Sequence, residues 1–176
     1  HLLQDRGPLD PPAIVRVFVQ AALGLAAAHK VGIVHRDVKP ANLFLHVPGD
    51  DRKIVVKVCD FGVAKREGDG ATHDLTRAGG VLGSPLYMSP EQAKTAKHVD
   101  HRSDVWGLCV SLYQALSGSA PWDPDASLAE LLLSICTDRV PPLADAAPWI
   151  APELAAIVQK GLAREPEDRW QSMEAL

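Results

Sequence analysis

The feature that most limits how this chain can fold is a short predicted hairpin with polar residues at both ends. Two β-prone runs, "LFL" and "IVVKV", flank the turn-rich segment "VPGDDRK". The polar octapeptide "HRDVKPAN", residues 35–42, precedes the first run, and Asp60 follows the second closely. Because a hairpin holds its two ends close together, we expect Asp37, Asn42 and Asp60 to meet at one end.

These side chains suit one kind of chemistry. An Asp with an Asn or a second Asp offers hard oxygen ligands, and Mg²⁺ is usually held by one or two carboxylates plus substrate phosphates. A further carboxylate can then accept a proton from a nucleophile. The nearby Lys39 can neutralise charge on a moving phosphoryl group. Composition and topology therefore predict a phosphoryl-transfer site.

The remainder of the chain is helical in pattern. Asp10 is predicted to cap a long helix that ends at Gly32, with apolar residues on one face: Ile14, Val17, Phe18, Ala21, Leu25 and Ala28. A strongly apolar segment predicts a buried central helix over 103–116, and further helices are predicted over 127–137, 151–162 and from 171 onward. The predicted fold is mainly α, a helical domain with one small β-hairpin, and α+β overall.

Composition bounds the class of protein. The 176 residues suffice for one globular domain with a sizeable core, and the net charge of −4 without charge blocks argues against a nucleic-acid or anionic-membrane partner. Three separated cysteines without a CxxC pair argue against zinc or a disulfide framework and indicate a reducing, cytoplasmic location. We expect no apolar run near the roughly 20 residues that span a bilayer, no signal peptide, and no membrane contact from this segment.

Several motifs occur in a fixed order: "HRDVKPAN", "DFG", "GSPLYMSPEQ", "SDVWGL" and the Arg of "PEDRW". In these the chain resembles the eukaryotic-like (Hanks-type) serine/threonine protein kinases, and "GSPLYMSPEQA" looks most like the bacterial members. The resemblance covers nearly the whole chain and corresponds to the C-terminal lobe of the kinase domain. It implies a kinase C-lobe over residues 1–176, with an activation segment over 60–91.

The resemblance implies that the ATP γ-phosphoryl group is transferred to Ser or Thr hydroxyls of protein substrates, with Mg²⁺ or Mn²⁺ as the metal. Asp37 would be the catalytic base. Lys39 would contact the γ-phosphoryl group, and Asn42 and Asp60 would hold the metal and thereby the nucleotide.

Activation of the enzyme is also implied by the resemblance. Arg36 would receive a phosphate in the activation loop, and Thr72 and Thr76 are the candidate sites of autophosphorylation. Ala78 stands where a second phosphorylated threonine is expected, and Ser84 replaces the usual Thr that links the loop to the catalytic residues. The alternative is a polar loop without a switch.

Other motif residues are expected to be architectural. His35 would pack beneath the site, and Asp104 would hold the backbone of the catalytic loop, residues 35–42. Glu91 would pair with Arg169. "WGLC" stands where the family commonly has "WSxG", so that Cys109 occupies a small-residue position. Five further histidines have no metal-ligand spacing and are predicted to lie on the surface: His29, His46, His73, His98 and His101.

No Gly-rich phosphate loop, strand Lys or helix Glu of the family's N-terminal lobe occurs in these residues. The expected partners are therefore an N-terminal lobe and protein substrates, and the segment alone is expected to be inactive. Two alternatives remain: a non-catalytic kinase-like scaffold or docking module, and a small-molecule phosphotransferase. Retention of all four catalytic and metal-binding side chains favours the enzyme, and the "SPE" segment disfavours the small-molecule acceptor.

Overall fold

The computed structural model describes residues 10–47, 49, 54–61, 85–95 and 99–176. Within these ranges the α-helices are α1 (Pro11–Lys30), α2 (Pro90–Lys94), α3 (Arg102–Ser117), α4 (Leu128–Thr137), α5 (Leu143–Ala146) and α6 (Pro152–Gly161). The strands are β1 (Leu43–His46) and β2 (Val55–Val58), and short 3-10 turns cover Pro40–Asn42, Pro85–Tyr87 and Pro166–Asp168. The predicted mainly helical fold with one small hairpin is confirmed.

The first helix, α1, buries one face against β2 and α3. Its prolines remove two of the N–H groups that a cap would otherwise satisfy, and the N–H of Ala13 bonds to the backbone oxygen of Asp10 at 2.8 Å. The predicted side-chain cap from Asp10 is therefore wrong. At the other end, Gly32 has φ of 77°, which turns the chain out of the helix.

The length of α1 corrects one expectation from the sequence. With 20 residues it is long and apolar enough, by length and composition alone, to cross a membrane. Its apolar residues Phe18 and Leu25 belong to the core of this fold, and the Gln20 side chain bonds to the backbone of Ile54, just before β2, and of Val56 within it. Core helices often pass the same test, so this finding identifies no membrane segment.

The predicted hairpin is present, and its register separates two faces. Leu43 lies opposite Val58, and Phe44 lies opposite Lys57. Leu43 and Val58 pack against the core, whereas the Phe44 side chain is 61% exposed. Because successive strand residues point to opposite faces, the outward face presents an aromatic ring and a cation to solvent.

Helix α3 forms the centre of the core. Nearly all of its residues are buried, including Trp106 and Val110, and it contacts α1, α5 and α6. It ends at Gly118, whose φ of 87° is the left-handed conformation that glycine adopts without strain. The predicted central helix is confirmed.

The predicted helix from residue 171 onward is absent, and the chain there forms turns. The amide of Gln171 donates to three backbone carbonyl oxygens, those of Pro166, Glu167 and Arg169. These bonds hold the end of the preceding segment in a compact turn and compete with a helical arrangement.

Close packing between α3 and α6 predicts a sensitive glycine. A Cβ on Gly161 would overlap Cys109 Sγ, and burial raises the pKa of that thiol to about 12. We expect Gly161→Ala to lower the free energy of unfolding by about 1–3 kcal/mol, since a packed core has no room for the methyl group. Chemical denaturation measures it. Adding Cys109→Ala should restore most of the loss, and a fully stable Gly161→Ala protein would contradict this packing.

Candidate active site

Asp37, Lys39 and Asn42 form one hydrogen-bonded group before β1. Lys39 Nζ donates to Asp37 Oδ2 at 2.8 Å, and Asn42 Nδ2 donates to the same oxygen at 3.3 Å and to the Asp37 backbone oxygen at 2.8 Å. Among the described residues no hydrogen bond reaches Asp37 Oδ1. The Asp37 side chain is 36% exposed, so this second oxygen can accept a proton from an incoming hydroxyl.

The hairpin brings Asn42 and Asp60 to the same end, as the sequence predicted for its flanks. The N–H of Cys59 donates to the backbone oxygen of Asn42 at 2.9 Å, and Asp60 is the next residue. Asp60 is exposed with φ of 57°, a left-handed conformation that is uncommon outside glycine and often found at functional sites.

Asn42 and Asp60 fit a magnesium site by their chemistry. Because Asn42 Nδ2 is occupied by Asp37, its carbonyl oxygen is directed elsewhere, and no bond from the described part of the chain reaches it. In the described part of the chain there is no cluster of three or more His, Cys, Asp or Glu side chains that could hold a metal. One amide and one carboxylate leave positions for phosphate and water, as Mg²⁺ requires.

His35 joins the two ends of the hairpin through hydrogen bonds to its ring nitrogens. Its buried ring accepts a bond from the N–H of Asp37 at Nδ1 (3.2 Å), so Nε2 carries the proton and donates to the backbone oxygen of Cys59 at 2.9 Å. The ring also lies against Phe61, with 4.6 Å between ring centroids. One imidazole therefore links the segment before β1 to the segment after β2.

Asp104 of α3 holds the backbone just before Asp37. Its carboxylate is 1% exposed and accepts hydrogen bonds from the N–H groups of His35 (2.8 Å) and Arg36 (2.7 Å). Arg36 has φ of 65°, and Gln92 Nε2 donates to its backbone oxygen at 2.8 Å. Bonds from two elements thus maintain an uncommon backbone conformation directly before Asp37.

The prediction that His29 is a surface residue is wrong. Its side chain is only 10% exposed, and Nε2 donates to Asp104 Oδ2 at 2.8 Å. Its Nδ1 is buried and has no partner among the described residues. The signal was present in the sequence, because His29 lies one helical turn after Leu25 on the buried face of α1.

The other histidines are less involved. The His101 ring lies 5.4 Å from the His29 ring, and its Nε2 donates to the backbone oxygen of Gln171. His46 is half-buried on β1. His73 and His98 lie outside the described residues.

Arg169 and Glu91 form an ion pair that is largely buried near the start of α3. Two guanidinium nitrogens donate to the Glu91 carboxylate at 2.8 and 2.7 Å, and Ser103 Oγ donates to it at 2.6 Å. The remaining guanidinium N–H groups donate to the backbone oxygens of Ala163, Arg102 and Arg164. All five donors of Arg169 are thereby satisfied, and its guanidinium also lies 4.9 Å from the centre of the Trp106 ring.

The pKa of Glu91 reflects two opposing effects. Burial raises the pKa, but the hydrogen bonds and positive charge of Arg169, with the bond from Ser103, outweigh it, and the net pKa lies below the ordinary value of 4.5. The carboxylate therefore stays charged in the folded protein and anchors α2.

The "SPE" segment is held by local bonds as well. Ser89 is fully buried and forms a capping box with Gln92 at the start of α2. Tyr87 donates its hydroxyl proton to Gln114 Oε1 of α3 at 2.6 Å, and burial raises its pKa. With the bond from Ser103 to Glu91, the Tyr87 bond attaches the segment after residue 84 to α3 at two places.

The activation-loop predictions remain predictions. Thr72, Thr76 and Ser84 lie outside the described residues, with most of the predicted segment 60–91. The exposed Arg36 side chain has no ion pair within the described part of the chain.

Loss of the Glu91 charge tests the ion pair. We expect Glu91→Gln to lower the free energy of unfolding by about 3–5 kcal/mol, because Arg169 is left buried without a counter-charge. Chemical denaturation at neutral pH measures this. Glu174→Gln is the matched control: Glu174 pairs with Lys30 on the surface at 3.3 Å, and because solvent screens that pair its loss should leave the stability nearly unchanged.

Glu91→Gln should also change how the stability of the protein depends on pH. A lowered folded-state pKa adds stability above the unfolded value near 4.5, and this stability is lost as the pH falls through the folded-state pKa. The wild-type protein should therefore lose stability more steeply in this acid range than Glu91→Gln does. Equal acid slopes, or equal losses in the two variants at neutral pH, would contradict the assignment.

Comparison with known proteins agrees with this arrangement. The family model described as "Protein kinase domain" matches residues 1–176. The chain is 38% identical over 171 residues to serine/threonine-protein kinase PknB of Mycolicibacterium smegmatis, covering 97% of the chain and 26% of the relative. It is 37% identical over 180 residues to serine/threonine-protein kinase pkn3 of Myxococcus xanthus, covering 99% of the chain and 32% of the relative.

Serine/threonine-protein kinase PknL of Mycobacterium tuberculosis is 37% identical over 170 residues, with 97% of the chain and 40% of the relative covered. The chain thus spans well under half the length of these curated relatives. The match of the family model to every residue nevertheless shows the family. The chain belongs to the protein kinase family, in the eukaryotic-like serine/threonine group of its bacterial relatives.

Proposed function

We propose that the protein transfers the γ-phosphoryl group of ATP to serine and threonine hydroxyls of proteins, and that this chain supplies the catalytic loop. The observation that carries the proposal is the asymmetry of Asp37. Its Oδ2 is occupied by Lys39 and Asn42, while Oδ1 has no hydrogen bond from the described residues. A carboxylate held on one side and open on the other suits a base that receives an acceptor hydroxyl.

In this reaction Asp37 Oδ1 accepts the proton of the acceptor hydroxyl as the new oxygen–phosphorus bond forms and the bond to the leaving ADP breaks. Lys39, 2.8 Å from the other carboxylate oxygen, provides positive charge beside the transferred group. His35 and Asp104 act on the backbone, keeping the base in place before the substrate arrives.

Asn42 and Asp60 would hold the metal, Mg²⁺ or Mn²⁺. When bound, the ion would neutralise phosphate charge. The exposed Phe44 ring on the outward hairpin face offers an apolar surface for the nucleotide base two residues from Asn42. Phe44 carried no signal in the sequence beyond its place in a β-prone run.

Regulation and location extend the proposal. Arg36 is exposed next to the base and would pair with a phosphate on Thr72 or Thr76, while Ser84 would link the loop to Lys39. Since the reaction consumes ATP and the cysteines are free thiols, we propose that the catalytic residues act in the cytoplasm. The partners are protein substrates and an N-terminal lobe that completes the nucleotide site. Neither nucleic acid nor a membrane is a proposed partner of this segment.

Removal of the base tests the proposed activity in the protein as its full gene encodes it. Asp37→Asn should lower the rate of phosphate transfer from radiolabelled ATP to a mixed serine/threonine peptide library by about 100-fold or more. Asp125→Asn, at an exposed residue in the turn before α4, should leave the rate unchanged. Full activity in folded Asp37→Asn would refute the assignment of the base. A folded but inactive wild-type protein would instead favour the scaffold alternative.

The metal site is tested by titration. Asn42→Ala should raise the Mg²⁺ concentration for half-maximal activity, with a loss of metal affinity of about tenfold, because one of two proposed ligands is removed. Asn42 also bonds Asp37, so a thermal melt must first show that the variant is folded. An unchanged Mg²⁺ requirement in a folded variant would contradict the ligand role.

A further inference from the structure

The sequence "WGLC", residues 106–109, puts a glycine in the interior of α3. Glycine destabilises a helix interior relative to alanine because it loses more backbone freedom on folding. Gly107 is buried, and it is not among the described glycines with positive φ. Its backbone conformation therefore does not require glycine, and the reason must lie in its surroundings.

Gly107 lies directly against the catalytic loop. A Cβ built on it would be 2.9 Å from the carbonyl oxygen of Val38, 3.1 Å from Val38 Cβ and 3.6 Å from the carbonyl oxygen of Tyr87. Val38 stands between Asp37 and Lys39. Because the nearest atom is backbone, no rotation of a side chain can make room, and the loop or the helix must move.

A second contact from the same helix face acts on the loop. Asp104 lies three residues earlier, and residues spaced by three are neighbours on a helix surface. Its carboxylate binds the N–H groups of His35 and Arg36. The helix therefore holds the loop on both sides of Asp37, by hydrogen bonds before it and by direct backbone contact after it.

The opposite face of α3 carries the side chain of Cys109. Cys109 is two residues from Gly107, so the two do not share a face. Cys109 is fully buried against Gly161 of α6. This helix therefore has a side chain towards α6 and none towards the catalytic loop.

We propose that Gly107 is a positioning residue for phosphoryl transfer: its missing side chain lets α3 lie against Val38, and this contact sets where Asp37 and Lys39 stand. The inference rests on the proposed kinase activity. Cys109 is its counterpart, because it occupies the space towards which α3 would otherwise shift.

The test compares four proteins encoded by the full gene: wild type, Gly107→Ala, Cys109→Gly and the double variant. Gly107→Ala should lower kcat about tenfold, since small displacements of catalytic groups have large effects on rate, while KM for ATP stays near the wild-type value. The double variant keeps the number of helix glycines constant and lets α3 shift towards α6. It should recover most of the lost kcat. Cys109→Gly alone should lower the melting temperature and change kcat little.

Gly24→Ala is the matched control, because Gly24 lies inside α1 and its added Cβ would meet only a methyl group of Val58 at 3.3 Å. It should leave kcat unchanged. Unchanged kcat in folded Gly107→Ala, or a double variant no better than Gly107→Ala, would overturn the proposal.

A second readout is independent of activity. Backbone amide NMR should show shifts in Gly107→Ala concentrated in residues 35–42, and the double variant should reverse them. If the wild-type protein proves inactive, the proposed function fails, and these shifts alone decide whether Gly107 positions the loop. Shifts confined to α3 would overturn the inference.

Discussion

The arrangement of the site depends on one buried carboxylate. Asp104 is almost fully removed from solvent, and a charged group in that position is costly unless hydrogen bonds satisfy it. Its donors come from two other parts of the chain: the backbone at His35 and Arg36, and the side chain of His29 on α1. Any arrangement that separated these elements would leave a buried charge unsatisfied. The interaction therefore ties α1, α3 and the catalytic loop into one unit.

The same helix also holds the segment that contains Tyr87 and Glu91. Ser103, next to Asp104, bonds Glu91, which is held by Arg169, and Tyr87 is bonded to Gln114 further along α3. Buried ion pairs contribute little net stability, but breaking one is expensive, so they favour a single arrangement over alternatives. In this chain they attach residues 85–94 to the helix that also holds the backbone before Asp37. Both segments thus share one rigid support, which is what a preorganised site needs.

Much of the fold and of the candidate site could be predicted from the sequence because the relevant signals are local. The hairpin follows from two β-prone runs around a turn, and it brings Asn42 and Asp60 together without any long-range information. The helix predicted over 127–137 is likewise local, and in the structure Ser127 and Glu130 form a capping box at its start. The predictions that failed depend on which of several competing local hydrogen bonds forms. Asp10 leaves its cap unused because prolines follow it, and Gln171 holds its segment in turns.

By itself, the sequence determined the family, the mainly helical class and the identity of the polar residues at the hairpin, since each depends on spacing along a short segment. Only the tertiary structure decided which oxygen of Asp37 is occupied, that His29 pairs with Asp104, and that Gly107 lies against Val38. These facts depend on how closely helices and loops distant in sequence approach one another. That approach is set by packing and by the pairing of buried charges, which no local pattern records.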